Sequence, residues 1–283
     1  MTTFTDTQIY QPILSVVIPC FNSEKYLREA LDSVVGYPNK NIYELIIVND
    51  GSTSLGTIQL LQQLELEGYR IIHQENKGPA AARNTGVSHA KGEYILFLDS
   101  DNKIRHDYIT IGIELLQSDA EIGVVYGNAY FFGDYTTPRF IAKPLDIYRM
   151  LHGNYIDMCS VIRKRMWSEV GGLDEARVLI GHEDWEFWIR VAKAGWKFRY
   201  VDNILFDYRN RFDSISADAG KENAYKEMLH HIQEKHWQEY AQAYSIIFNQ
   251  YIDLIDQIRT YEFDKRNPLR SFVKFLYKKY IIN

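Results

Sequence analysis

Asp99 and Asp101 stand one residue apart, directly after the apolar run Tyr94-Ile95-Leu96-Phe97-Leu98. That run has the length and residue types of a buried strand. In an open α/β sheet, ligands bind outside the carboxyl ends of parallel strands, where these two acids emerge. Residues i and i+2 of an extended segment point the same way, so both carboxylates are expected to face one site. Two hard oxygen donors suit a divalent cation and the phosphates it carries. Alone, the tripeptide is short and common and reads first as a pair of solvated turn acids; the segments that follow reverse that reading.

Three other segments fall at the ends of strand-like runs in the first half. They are Pro19-Cys20-Phe21-Asn22, Asn49-Asp50-Gly51-Ser52, and Asn76-Lys77-Gly78 with Arg83-Asn84. Strand ends of a parallel sheet share one edge, so all four segments are expected to line one pocket. There Phe21 could stack on a base, Asp50 could accept hydrogen bonds from a base edge, Gly78 permits close backbone approach, and Arg83 suits phosphate. Each also has a plainer reading: Phe21 as core, Asp50-Gly51 as a turn, Arg83 as a surface helix residue. In the second half, Glu183-Asp184 opens a helical pattern that contains Trp185 and Trp188. Those acids either do chemistry or complement a helix dipole.

The elements that must position these residues alternate. Strands are expected at Ile13–Ile18 (stopped by Pro19), Glu44–Val48, Tyr69–His73 and at the run ending in Leu98. Helices are expected from a Ser23 cap through Val34, at Ile58–Leu66, and at Pro79–Ala90 with Pro in its first turn. Repeated β-α units imply a parallel sheet covered by helices on both faces. Further on, the patterns predict helices at Asp107–Gln117, Lys164–Val170 and Glu183–Ala194. They predict one or two strands in Gly123–Phe132, and strands at Ile156–Ile162, Trp196–Val201 and Ile204–Tyr208. A helical pattern then runs from about Gly220 to Asp264, with Pro268 as a breaker. A domain boundary is placed at residue 216, giving domains 1–216 and 217–283.

The strings LSVVIPCFN (14–22), LIIVNDGST (45–53), NKGPAAARN (76–84) and LFLDSD (96–101) together resemble family 2 glycosyltransferases, over about residues 13 to 216. The resemblance implies a GT-A fold, an α/β/α sandwich with a mainly parallel sheet and here a C-terminal helical extension. It implies a nucleotide-sugar donor held by Pro19, Phe21, Asn22, Asp50, Gly78, Arg83, Asp99 and Ser100. Asp99 and Asp101 would hold Mn2+ or Mg2+. GGLDE (171–175) resembles the family's Gly-Gly-Phe-Asp-Glu turn, and GHEDWE (181–186) its Glu-Asp motif. In inverting members the Asp of that pair, here Asp184, is the general base, with Glu183 next in line. An Asp of ordinary pKa is ionised at neutral pH and able to take a proton from an attacking hydroxyl. Tyr208-Arg209 with Ser214-Ile215-Ser216 resembles the family's Tyr-Arg-x-His region, with Arg211 where the family has His. Arg211 is therefore either a direct diphosphate contact or a surface charge. His182 is either a substrate contact or part of the helix cap. Trp185, Trp188, Tyr155 and residues 157–160 are candidate acceptor contacts.

The implied activity is transfer of a sugar, from UDP by family frequency, to a glycan or lipid-linked acceptor in surface polysaccharide synthesis. A sugar-nucleotide pyrophosphorylase would need a Gly-rich loop after the first strand, and residues 19–26 contain no glycine. A catalytically silent nucleotide-sugar-binding module is the other alternative, opposed by retention of Asp99, Asp101 and Asp184. A net charge of −5 argues against general nucleic-acid binding. Two cysteines form no disulfide framework and fit a reducing compartment. No secretory signal and no membrane-spanning run is visible, so a cytoplasmic protein is expected. The tail from Lys265 to Asn283 carries six Lys or Arg and no acid, with Leu269, Phe272, Val273, Leu276 and Tyr280 at helical spacing. It either lies on an anionic membrane surface, on the inner face of the plasma membrane, or packs on the core or on a second subunit as a homodimer contact.

Overall fold

The computed structural model describes residues 11–214 and 222–273. The chain divides into two compact units, Met1–Ile232 and Gln233–Asn283. Residue 216, the expected boundary, lies outside the described residues, as do residues 274–283 of the basic tail.

The first unit is built on β1 (Leu14–Cys20), α1 (Leu27–Val35), β2 (Tyr43–Asp50), α2 (Leu55–Leu66), β3 (Arg70–Gln74), α3 (Pro79–His89) and β4 (Tyr94–Phe97). It continues with β5 (Lys103–Ile104), α4 (His106–Ser118), β6 (Ile122–Gly133), α5 (Ile147–His152), β7 (Val161–Arg163), α6 (Lys164–Val170), α7 (Glu183–Lys193) and β8 (Lys197–Asn210). Two more helices follow, α8 (Glu222–Lys235) and α9 (Trp237–Arg266). The eight strands form one sheet in the order β3-β2-β1-β4-β7-β6-β8-β5. Six run one way; β7 and β5 oppose them. The chain winds outward from β1 to β3, then returns to place β4 on the other side of β1. That reversal opens a crevice at the carboxyl ends of β1 and β4, where a ligand can enter.

The strands of the first half are apolar runs because both faces are covered. Val16, Val17, Ile18, Ile46, Ile47, Val48, Leu96 and Phe97 are fully buried. α3 lies close on this sheet because it carries Gly86: a Cβ there would stand 2.3 Å from Val17 Cγ1. This contact seats the helix that brings Arg83 to the crevice. In the second half, buried Tyr108 on α4 donates its hydroxyl to the carbonyls of Cys159 (2.8 Å) and Val125 (3.2 Å). This ties the loop before β7 to the sheet.

Several expectations are corrected. β1 does not stop at Pro19; it continues to Cys20, paired with β2. Pairing with β4 ends at Val17, so Pro19 stands where only one neighbour needs backbone partners. Ser23 does not cap α1, whose N-cap position is Tyr26. Its Oγ instead contacts the Phe21 carbonyl (3.1 Å) and Ser100 Oγ (2.7 Å). The strand at Ile156–Ile162 shrinks to Val161–Arg163, and the two strands at Trp196–Tyr208 are one, β8. Helices α8 and α9 are separate, and residues 268–273 are helical after Asn267, so Pro268 opens a turn. Both cysteines are buried and free.

Candidate active site

Three loops at the carboxyl edge are stitched together by side chains whose types suit the backbone they meet. Asn22 takes a left-handed conformation (φ 50°), which Asn tolerates better than most residues. Its Oδ1 accepts from the amides of Thr53 (2.8 Å) and Ser54 (2.9 Å), joining the loop after β1 to the loop after β2. Asp50, 4% exposed, accepts from Gln74 Nε2 (2.7 Å), Lys77 N (2.9 Å) and Gly78 N (2.8 Å). Gly78 sits at φ 95°, which lets its amide turn toward that carboxylate before α3 begins. Asn22 and Asp50 thus hold the rim in place with most of their polar atoms. Phe21 is 44% exposed at the same rim, placed as a platform and not as core.

These loops enclose a cavity of about 600 Å³ lined by Pro19, Phe21, Asn22, Asp50, Gly78, Arg83, Asp99, Ser100 and Asp101 from the first half. Glu183, Tyr208, Arg209 and Arg211 line it from the second half. All four predicted segments therefore meet. The reason given for the two acids needs amending: β4 ends at Phe97, and Asp99–Asn102 is a turn closed by Asn102 N to Asp99 O (3.0 Å). Both carboxylates line the cavity from a turn, not from an extended strand.

Arginines frame these acids. Arg83 is buried and donates to Asp99 Oδ1 and Glu183 Oε1, both at 2.6 Å. Burial works against its charge, but the two carboxylates outweigh it and hold the guanidinium firmly cationic. Arg83 is not a surface residue; at the wall of the larger cavity it bridges the turn after β4 to α7. Arg211 donates to Asp101 Oδ2 and to Asp213 Oδ1, each at 2.9 Å. Arg209 donates Nε to the Asp101 carbonyl (2.9 Å) and lies between the rings of Tyr26 and Phe132. Burial, with Asp99 nearby, pushes the Asp101 carboxyl up to about 6 against the pull of Arg211.

The donor set at Asp99 and Asp101 fits a hard cation. Each carboxylate gives one oxygen to an arginine, and Asp99 Oδ2 meets only Asn102 Nδ2 at 3.5 Å, a long contact that a cation can displace. Among the described residues no group of three or more His, Cys, Asp or Glu is placed to hold a metal. Mn2+ or Mg2+ would therefore take its remaining ligands from phosphate and water.

A second cavity, about 290 Å³, adjoins the first and shares Gly181 and Tyr208 with it. It is lined by Arg139, Asn154, Tyr155, Asp157, His182, Asp184, Trp185 and Tyr225 among others. The first turn of α7 stands between the cavities: Glu183 lines the larger and Asp184 the smaller. Asp184 accepts from Asn154 Nδ2 and from Trp185 N, both at 2.8 Å. Burial pushes its carboxyl well above the usual range, and the charges of Glu183 and Asp157 add to this. The expectation of an ordinary pKa fails here for want of solvent. Asp157 is likewise pushed up to about 7, by burial and then by Asp99.

Trp188 is core: fully buried, its Nε1 donates to the Ile156 carbonyl (2.9 Å). Trp185 is also buried, with Nε1 on the Met150 carbonyl (2.6 Å), though its edge reaches the smaller cavity. Of residues 157–160, only Asp157 lines that cavity. His182 makes no side-chain cap to α7 and instead meets the rings of Trp185 and Tyr225. Asn154, Arg139 and Tyr225 escaped the sequence reading because no local pattern marks a loop residue that only the fold brings to Asp184. Ser214 lines the larger cavity, while Ile215 and Ser216 lie outside the described residues.

Comparison with known proteins bears on the family and the fold. The model of glycosyl transferase family 2 matches residues 15–166, and that of glycosyltransferase like family 2 matches residues 133–257. Glycosyltransferase GlyA of Streptococcus pneumoniae is 40% identical over 124 residues, which cover 43% of this chain and 17% of that protein. Glycosyltransferase GlyG of the same organism is 32% identical over 225 residues, covering 72% of each chain. The putative teichuronic acid biosynthesis glycosyltransferase TuaG of Bacillus subtilis is 29% identical, covering 75% of this chain and 84% of that one. A crystal structure of S. aureus TarS 1-349 in complex with UDP-GlcNAc superposes with a TM-score of 0.61 at 21% identity, over 76% of this chain and 64% of that chain. The fold is thus of the GT-A type, with helices following it. The matched family region takes in the Asp99–Asp101 turn and the loops that face it, and by that match the chain belongs to glycosyl transferase family 2.

Proposed function

We propose that the protein moves a sugar from a UDP-sugar to a hydroxyl of a glycan or lipid-linked acceptor, with inversion at the anomeric carbon, in surface polysaccharide synthesis. The observation that carries the reading is the first turn of α7, which presents Glu183 to the larger of two adjoining cavities and half-buried Asp184 to the smaller. The larger is sized for a nucleotide-sugar and the smaller for an acceptor ring. The names of TuaG and of the UDP-GlcNAc complex of TarS support the donor class and the pathway.

In this reading Phe21 and the Asp50 loop take the base, and Asp99, Asp101 and Arg211 take the ribose and diphosphate end. Bound Mn2+ or Mg2+ supplies positive charge to the departing diphosphate. Arg211 adds a second, permanent positive charge on the same side, paired with Asp101 until phosphate arrives. Asn154 holds one oxygen of Asp184, leaving the carboxylate oriented to take the proton of an acceptor hydroxyl as it attacks. An environment that raises the pKa of this carboxylate makes it a stronger base once ionised.

The test is transfer from a panel of nucleotide-sugars to candidate acceptors, in native protein and in Asp184→Asn. Loss of transfer with retained donor binding supports the reading. Donor binding without turnover in the native protein, across donors and acceptors, favours the silent module. The placement on the cytoplasmic side of a membrane follows from the acceptor class, and no helix among the described residues is long and apolar enough to cross one.

A further inference from the structure

Helix α9 carries an apolar seam whose spacing does not belong to the family chemistry. Trp237, Tyr240, Tyr244, Ile247, Tyr251, Leu254, Ile258 and Tyr261 follow one another at alternating steps of three and four residues. That is the a/d repeat of a coiled coil, held without a slip to the end of the helix. A single helix packed on a globular surface needs a period near 3.6, and a strict 3.5 repeat is wanted only where two helices wind together. The seam is open: Trp237 is 63% exposed, Tyr244 69%, Tyr251 57%, Leu254 52%, Ile258 51% and Tyr261 68%. Phe248 widens it beside Tyr244, with ring centroids 6.0 Å apart.

We infer that this seam is the dimer contact of the protein, formed by α9 of two copies lying antiparallel. Charge does not set the direction, because Arg259, Lys265 and Arg266 nearly balance Asp253, Asp256, Glu262 and Asp264 in the second half of the helix. Size sets it. A parallel pair stacks each Tyr on its own copy, whereas an antiparallel pair centred near Asn249 sets Tyr244 against Leu254, Tyr240 against Ile258 and Tyr251 against Ile247. Large side chains then meet smaller ones and interdigitate. The seven exposed seam side chains, at roughly 100 Å² each, offer about 700 Å² per copy, close to the ~800 Å² per partner of a standard interface. An anionic lipid surface is the wrong occupant, because α9 carries five acids against three bases, Lys265 and Arg266 of its last turn included. The inference is independent of donor, acceptor and reaction.

The test is sedimentation equilibrium of the full chain at micromolar concentrations. The expected result is a dimer that Tyr251→Glu with Ile258→Glu converts to monomer, while Phe263→Glu, off the seam, leaves it intact. Far-UV circular dichroism of each variant checks that helix content is kept. Direction is read from a spin label at Phe263→Cys, the native cysteines being buried. Antiparallel pairing separates the two labels by about 40 Å along the axis, whereas parallel pairing brings them within about 20 Å. A monomeric full chain, or a dimer untouched by the seam variant, overturns the inference, as does a short label distance for its antiparallel arrangement. Dimerisation only after removal of residues 274–283 also overturns it, since the chain's own end would then cover the seam.

Discussion

Asp184 meets opposite demands from folding and from chemistry. Burial raises its pKa well above the ordinary carboxylate value, with Glu183 and Asp157 adding to the shift. The folded state therefore holds this proton more tightly than the unfolded chain does. Stability falls as pH rises from the unfolded value, near 4, through the raised folded one. Asp184→Asn keeps the shape and removes the charge. Its melting temperature is expected to exceed that of the native protein at pH 8, with the gap closing as pH falls toward and below the unfolded value, where Asp184 becomes protonated in both states. Transfer is expected to fall by roughly 100-fold or more, the usual weight of a general base. The native rate should climb with pH along a limb lying above the ordinary carboxylate range. Melting curves and rates between pH 4 and 8 check both, and a less stable Asn variant at pH 8 would show that the charge is better solvated than its burial implies. Arg211 is the other residue with a distinct outcome. It occupies Asp101 Oδ2 where the family has His. Arg211→His removes a competing cation and adds a nitrogen donor, so half-maximal activity is expected at several-fold lower Mn2+. If chelator leaves native turnover unchanged, the metal reading fails together with this one.

At the scale of elements, the first four strands were legible because each is an apolar run closed by a turn signal. β8 was read as two strands because Asp202-Asn203 looks like a turn; in the sheet it is an irregularity within one long pairing with β6. α5, six residues long, is too short to show a helical period, and β5 is only two residues. The Asp99 and Asp101 pair was visible at once, but its arginine partners lie 16 and 110 residues away. No local pattern records such pairings, and the same holds for Asn154 on Asp184. The seating of α3 yields a prediction. Gly86→Ala gains helix propensity of up to ~1 kcal/mol but drives a methyl into Val17, 2.3 Å away. Overpacking of that kind costs about 1–3 kcal/mol, so a net loss is expected in urea unfolding. Donor affinity should fall too, because α3 carries Gly78 to Arg83. Adding Val17→Ala makes room and should recover most of both losses, a coupling that a double-mutant cycle measures.

For the whole molecule, charge is unevenly shared. The chain is net −5, yet residues 265–283 hold Lys265, Arg266, Arg270, Lys274, Lys278 and Lys279 without an acid. A lipid-linked acceptor would sit at an anionic surface, so we propose that this tail brings the protein to it. The apolar seam of α9 and the basic tail then do different work, one pairing copies and the other meeting lipid. Binding of this kind acts within a Debye length, about 10 Å at 0.1 M salt. The full chain is expected to co-sediment with vesicles containing phosphatidylserine at low salt and to leave them as salt rises. Replacing Lys274, Lys278 and Lys279 by Glu in the full chain is expected to weaken that partition by roughly 100-fold or more. The seam variant Tyr251→Glu with Ile258→Glu should change it far less. Equal vesicle binding by native and tail-reversed chains, or binding insensitive to salt, would assign the tail to packing and leave the acceptor to be met elsewhere.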